Sequence, residues 1–171
     1  MSVLFSSWAC ESGSWTTANC VTTPGATFPV PLTFTIYDFT GNTKGAMLAT
    51  QTQTVSITYR PSTSTLCTGG RWYNSKDKTC YNGLPQTVTM AMTASAPLPN
   101  QVIWTVAYNT NTAGYYPTGV VGPVDSLNVG TFSFPNAPYA GTDLNEDQAF
   151  RNGVMESGWT GYRPLGAIAA N

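Results

Sequence analysis

Alternation of apolar and hydroxyl-bearing residues runs through most of this chain, and no other feature limits its fold so tightly. The segment "LTFTIYDF" sets Leu32, Phe34 and Ile36 against Thr33 and Thr35, and "TVSITYR" sets Val55, Ile57 and Tyr59 against Thr54, Ser56 and Thr58. "QTVTMAM" repeats the pattern with Val88, Met90 and Met92. Successive side chains of a strand project to opposite faces, so a period of two describes sheets with one dry face and one wet face. "QVIWTVAY" is apolar on both faces, with Val102, Trp104 and Val106 on one and Ile103 and Ala107 on the other, which predicts a central strand. Gly130 interrupts "SLNVGTFSF" and predicts a bulge or bend. Only "TDLNEDQAF" offers a helical turn, with Asp143 in a capping position and Glu146 three residues on.

Between the alternating runs lie clusters of Gly, Pro and Asn: "TPGATFPVP", "TGNTKG", "YRPSTS", "APLPN", "TAGYYPTG" and "VGPVD". Many short strands separated by such turn signals predict an all-β fold, an antiparallel β-sandwich or jelly roll. No repeat or linker divides the chain, so residues 1–171 read as one domain. The first run, "SVLFSSW", already looks like a strand in progress, which raises the expectation of a further opening strand ahead of it.

Charged residues make up 9% of the chain, against about 25% in an average soluble protein. Ser, Thr and Asn take their place, a composition that suits an extracellular β-protein. With seven cations, eight acids and a net charge of −1, the chain generates no field for nucleic acid or anionic lipid. There is no histidine, which removes Ser-His-Asp and Cys-His catalysis and the usual zinc and copper ligand sets. No stretch is long and apolar enough for a transmembrane helix. The start, "MSVLFSSWACESGSW", lacks the basic and apolar regions of a secretory leader and reads as a mature segment.

Four cysteines, Cys10, Cys20, Cys67 and Cys80, allow three connectivities. The local pairing Cys10–Cys20 and Cys67–Cys80 is the expectation, because each pair flanks a short turn-rich segment. The alternatives are four reduced thiols, or a metal site that would have to gather thiolates without C-x-x-C spacing. Disulfides imply an oxidising compartment, hence a secreted or cell-surface protein.

The motifs "SSWACESGSW…NCVTTPGATF", "YRPS…CTGGRWY…CYNGL" and "YNT…YPTG…GPVDSLNVG" together resemble a β-sandwich domain of secreted actinobacterial and related proteins. The likeness runs from residue 6 to residue 130, and "GWTGYRP" is similar to that domain's end. The resemblance implies export, local disulfides and an all-β fold in an often multi-domain surface protein. It brings no established activity and no functional residue. Relatives of that kind carry more chain ahead of "SSW" and a longer insert before "DSLNV", where this chain has only "VVGPV". Any binding function of that insert would be missing here.

Three places can carry function. "CTGGRWYNSKDKTC" places Arg71, Trp72 and Tyr73 between two cysteines, a potential aromatic platform for a sugar, or a hairpin whose Trp72 folds back over the sheet edge. "YNTNTAGYYPTG" offers Asn109, Asn111, Tyr115 and Tyr116, a composition suited to adaptable polar recognition, or a plain turn whose tyrosines cover the core. Asp143, Asn145 and Asp147 follow the opening order of a calcium loop but lack its glycine and distal glutamate. Glu11, Asp125 and Glu156 are the acids that would have to complete such a site; a capped turn with solvated carboxylates is the alternative. The expected function is a non-catalytic extracellular binding or adhesion module, with carbohydrate as ligand and no cofactor. Its rivals are a subunit of a surface filament or layer, which Thr-rich strands would suit through self-association, and a carboxylate-based glycosidase, for which no acid pair can be selected.

Overall fold

The computed structural model describes residues 1–41, 43–108, 127–133, 149–151, 154–157 and 162–169. Every regular element among them is a strand: β1 Ser2–Ser7, β2 Thr27–Thr40, β3 Thr43–Thr58, β4 Trp72–Asn74, β5 Thr79–Tyr81, β6 Leu84–Thr89, β7 Val102–Ala107, β8 Leu127–Val129, β9 Thr131–Ser133, β10 Ala149–Arg151, β11 Val154–Glu156, β12 Tyr162–Pro164 and β13 Gly166–Ala167. All pairings are antiparallel. The fold is all-β, as the period of two requires.

Two sheets form the body. In one, β1 runs between β6 on one side and β8 and β13 on the other; in the second, the order is β3-β2-β7. Their inner faces carry the alternating apolar residues. Val3, Phe5, Val88 and Leu127 from the first sheet meet Phe28, Val30, Leu32, Phe34 and Ile57 from the second. Phe5 stacks on Phe34 with centroids 6.4 Å apart, and Tyr108 meets Phe5 edge-on at 5.7 Å. Both phenylalanines are fully buried, each contributing about 1.5–3 kcal/mol from apolar area removed from water.

Three expectations need correction. "TPGATFPVP" is not one continuous turn, because β2 begins at Thr27 and carries Pro29 and Pro31 within it. The register explains their tolerance. Tyr59 N–H donates to Ala26 O just before the ladder starts, so even-numbered residues of β2 bond β3 and odd-numbered ones face away from it. β7 covers that far side only from Thr33 onward, leaving both prolines where an N–H would point off the edge. Second, the central strand of the sheet is β2 rather than β7, which pairs with β2 alone among the described residues. Third, Ala149 and Phe150, the end of the predicted helical turn, lie in a strand; the rest of it falls outside the described residues. The break at Gly130 occurs as expected, splitting β8 from β9. Leu4 lies so close that a Cβ there would sit 2.8 Å from it.

Candidate functional site

One end of the sandwich is built by the two cysteine loops. Cys10–Cys20 and Cys67–Cys80 are both disulfides, with Cα separations of 5.3 and 5.9 Å. The local pairing is therefore the one adopted. Arg60 joins the loops. Its backbone N–H donates to Ala9 O at 3.0 Å, while its guanidinium donates to the carbonyls of Pro61 and Gly70. Thr63 adds a hydroxyl bond to the same Gly70 carbonyl at 3.1 Å and a backbone bond to Cys20 O at 2.9 Å. Only 1% of Arg60 is exposed, and burial lowers its pKa. Among the described residues no carboxylate pairs with it. Among the described residues, backbone carbonyls alone hold this charge.

The Cys67–Cys80 hairpin does not form the expected platform. Trp72 and Tyr73 are consecutive in β4, so they project to opposite faces. Trp72 is only 8% exposed and donates its indole N–H to Gly83 O at 3.1 Å. The ring on the surface is Tyr81, directly across the hairpin from Trp72, tilted 34° to it at 5.4 Å and 38% exposed. Sequence reading missed Tyr81, although it lies on the same hairpin face. Asp77 accepts from Tyr81 Oη at 2.8 Å, from Asn74 Nδ2 at 3.0 Å and from Thr79 N–H at 3.1 Å. That hydrogen bond is the main reason the Tyr81 phenol is pushed up from its ordinary pKa. Arg71 spends its guanidinium on Thr68, bonding its carbonyl and its hydroxyl at 3.0 Å each. The loop's polar groups largely satisfy one another.

A different surface is better arranged for recognition. On the outer face of the β3-β2-β7 sheet, Thr33 opposes Thr52 and Thr35 opposes Thr50, with hydroxyl oxygens 2.8 and 3.1 Å apart. Thr105 of β7 opposes Thr35 on its other side. Thr54, Ser56 and Thr58 continue the hydroxyl row along β3. Past a register shift the row reaches Tyr37, which opposes Met47 and carries Lys44 Nζ 4.4 Å from its ring centroid. Met47 is 59% exposed. The period-two reading had placed Thr33, Thr35, Thr54, Ser56 and Thr58 on a wet face, but Thr35 is only 6% exposed; it did not single out Thr50, Thr52, Thr105, Tyr37, Lys44 or Met47.

Cavities among the described residues accompany the fold. One, of about 420 Å³, is walled by Ile36, Ala49, Met92 and Leu98 among others; the second, of about 330 Å³, lies between Thr22, Pro24, Tyr59 and Leu84. Among the described residues, neither has a carboxylate in its wall. The described acids are engaged locally: Asp77 within its hairpin, Asp38 with Phe39 N–H and the Thr40 hydroxyl, and Glu11 with Thr23 N–H. The Thr23 bonds hold the Glu11 carboxyl below its ordinary range. Asn109, Asn111, Tyr115, Tyr116 and Asp125 lie outside the described residues, as do the calcium candidates Asp143, Asn145 and Asp147. Glu156 lies in β11. No family model matches the chain, and neither a curated protein nor a solved structure gives a significant match.

Proposed function

We propose that the protein is a non-catalytic extracellular binding module that lays a neutral polysaccharide along the outer face of its β3-β2-β7 sheet. The observation that carries this reading is the paired hydroxyls of Thr33 with Thr52 and Thr35 with Thr50 beside Tyr37, of which Thr50 and Thr52 are exposed, Thr33 is half-buried and Thr35 is buried. The threonine rows carry no charge, so a neutral polymer meets no ion that must be desolvated. Sugar hydroxyls exchange water for Thr oxygens, while Tyr37 and Met47 offer apolar surface to C–H faces at the end of the row. The two disulfides support the extracellular setting, since such bridges persist where thiols are not kept reduced.

The test is retention on insoluble polysaccharides and a glycan array. Wild-type protein should be retained with little dependence on salt, and the double variant Thr33→Val, Thr52→Val should lose most of that retention while melting as before. Unchanged retention in this variant and in Tyr37→Ala would move recognition away from this face.

A further inference from the structure

The sheets of this molecule guard their edges unevenly. Pro29 and Pro31 occupy outward-facing positions of β2 beyond the reach of β7, and Pro85 does the same on β6. For β6 the assignment follows from Met90 N–H donating to Met1 O, which turns even-numbered residues toward β1 and Pro85 away from it. An outward proline removes the N–H that an incoming strand would need. On β3 the outward residues are the even-numbered ones, since Tyr59 bonds β2. Two of them are closed by Gln86, which crosses from the opposite sheet: its Oε1 accepts from Thr58 N–H at 2.9 Å and its Nε2 donates to Ser56 O at 3.0 Å. The amide stands in for a strand there.

Among the described residues, Thr50, Thr52 and Thr54 receive no such cover. β3 pairs with β2 alone among the described residues, and only the Gln51 side chain, donating to Thr52 O at 3.2 Å, touches this stretch of edge. From residue 45 to residue 58 β3 contains no charge and no proline. A strand edge with these properties is a template for another strand.

We propose that this edge pairs with β3 of a second copy, antiparallel, about a two-fold axis at Thr52. The choice of occupant rests on self-complementarity. In that register Thr52 faces its own copy, Thr50 faces Thr54, and Gln51 faces Gln53, so hydroxyls meet hydroxyls and amides meet amides. Outward residues form the hydrogen-bonded pairs, each exchanging both backbone bonds with its opposite number. Gln51 and Gln53 occupy core-facing positions of β3, opposite Phe34 and Leu32, yet both are exposed. The Gln51 amide then leaves Thr52 O, and both amides bond across the axis. Gln86 stops the paired stretch short of Ser56, keeping the interface small and the dimer weak and reversible. A two-fold contact uses the same patch on both copies and closes at two, unlike strand donation along a filament. The pairing also joins two hydroxyl faces into one sheet, but it stands whether or not a glycan binds.

Single cysteines read the register directly. Opposed residues of a hydrogen-bonded pair lie about 5.5 Å apart at Cα, within disulfide reach. Thr52→Cys should therefore give a covalent dimer on mild oxidation, and Thr50→Cys alone should give little, because its neighbour across the axis is Thr54. Thr52→Lys, which puts two ammonium groups face to face, should weaken the wild-type dimer about tenfold or more in sedimentation equilibrium, with thermal unfolding confirming the fold. Equal cross-linking of Thr50→Cys and Thr52→Cys, a wild-type protein that stays monomeric at high concentration, or growth into open-ended species would each overturn the proposal.

Discussion

The stapled end and the bare stretch of β3 are both rich in polar groups, and they dispose of them in opposite ways. Around Arg60 a buried cation, the Pro61 and Gly70 carbonyls and two disulfide loops consume one another's bonding capacity. Asp77 does the same for the β4–β5 hairpin. At Thr50, Thr52 and Thr54 the backbone keeps its outward donors and acceptors without a described partner strand. The first region is polar because the fold needs it. The second is polar in a form that another molecule can use. Richness in Trp, Tyr, Arg and Lys therefore marks an end whose bonding groups largely satisfy one another, and plain threonines mark the stretch whose backbone has no partner strand among the described residues.

The largest expected effect breaks the stapled end. Arg60→Ala leaves the Gly70 and Pro61 carbonyls without their donor and opens a void, and should cost about 3–5 kcal/mol in chemical denaturation. Next come the bridges. Removing Cys10 and Cys20 together by alanine should cost about 3 kcal/mol, and removing Cys67 and Cys80 somewhat less, because the first pair is also buried in the core. Equal losses would mean that burial of the sulfurs adds nothing.

Gln86→Ala sharpens the contrast from the other side. It should cost about 1–2 kcal/mol, since two hydrogen bonds between the sheets disappear. It should also lengthen the bare edge of β3 and tighten self-association in sedimentation. Lower stability with unchanged association would separate the cap from the edge.

The smallest effect is a pH dependence at the surface of the Cys10–Cys20 loop. The folded state holds the Glu11 carboxyl below its usual value of 4.5, first through the Thr23 backbone and then its side chain. A depressed carboxyl pKa contributes stability that is present above the unfolded value and lost as pH falls through the folded one. Melting temperature should thus fall slightly more steeply below pH 4.5 in wild type than in Glu11→Gln. Parallel curves would remove Glu11 from the account.

Part of the candidate surface was legible in the chain. Leu32, Phe34 and Ile36 alternate with Thr33 and Thr35, so a threonine face was readable from the sequence, although Thr35 itself is buried on it. Tyr81 could have been found the same way, by noticing that consecutive residues such as Trp72 and Tyr73 cannot share a face. Gln86 could not. Nothing in "LPQTVT" distinguishes a solvated glutamine from one that reaches across to Ser56 and Thr58, thirty and twenty-eight residues away.

Periodicity is a property of one strand, and it determined the all-β class and most of the buried residues; short spacing between cysteines made the local pairing the expectation, which the structure then adopts. Which strand ends up at an edge, and which edge is closed, is a property of pairs of strands far apart in sequence. Only the tertiary structure decided that β2 lies at the centre of its sheet, that its prolines fall beyond β7, and that the outward side of residues 50–54 faces no partner strand among the described residues. The physical reason is that a side chain's face follows from its neighbours in the chain, whereas a backbone hydrogen bond exists only once a second strand has arrived.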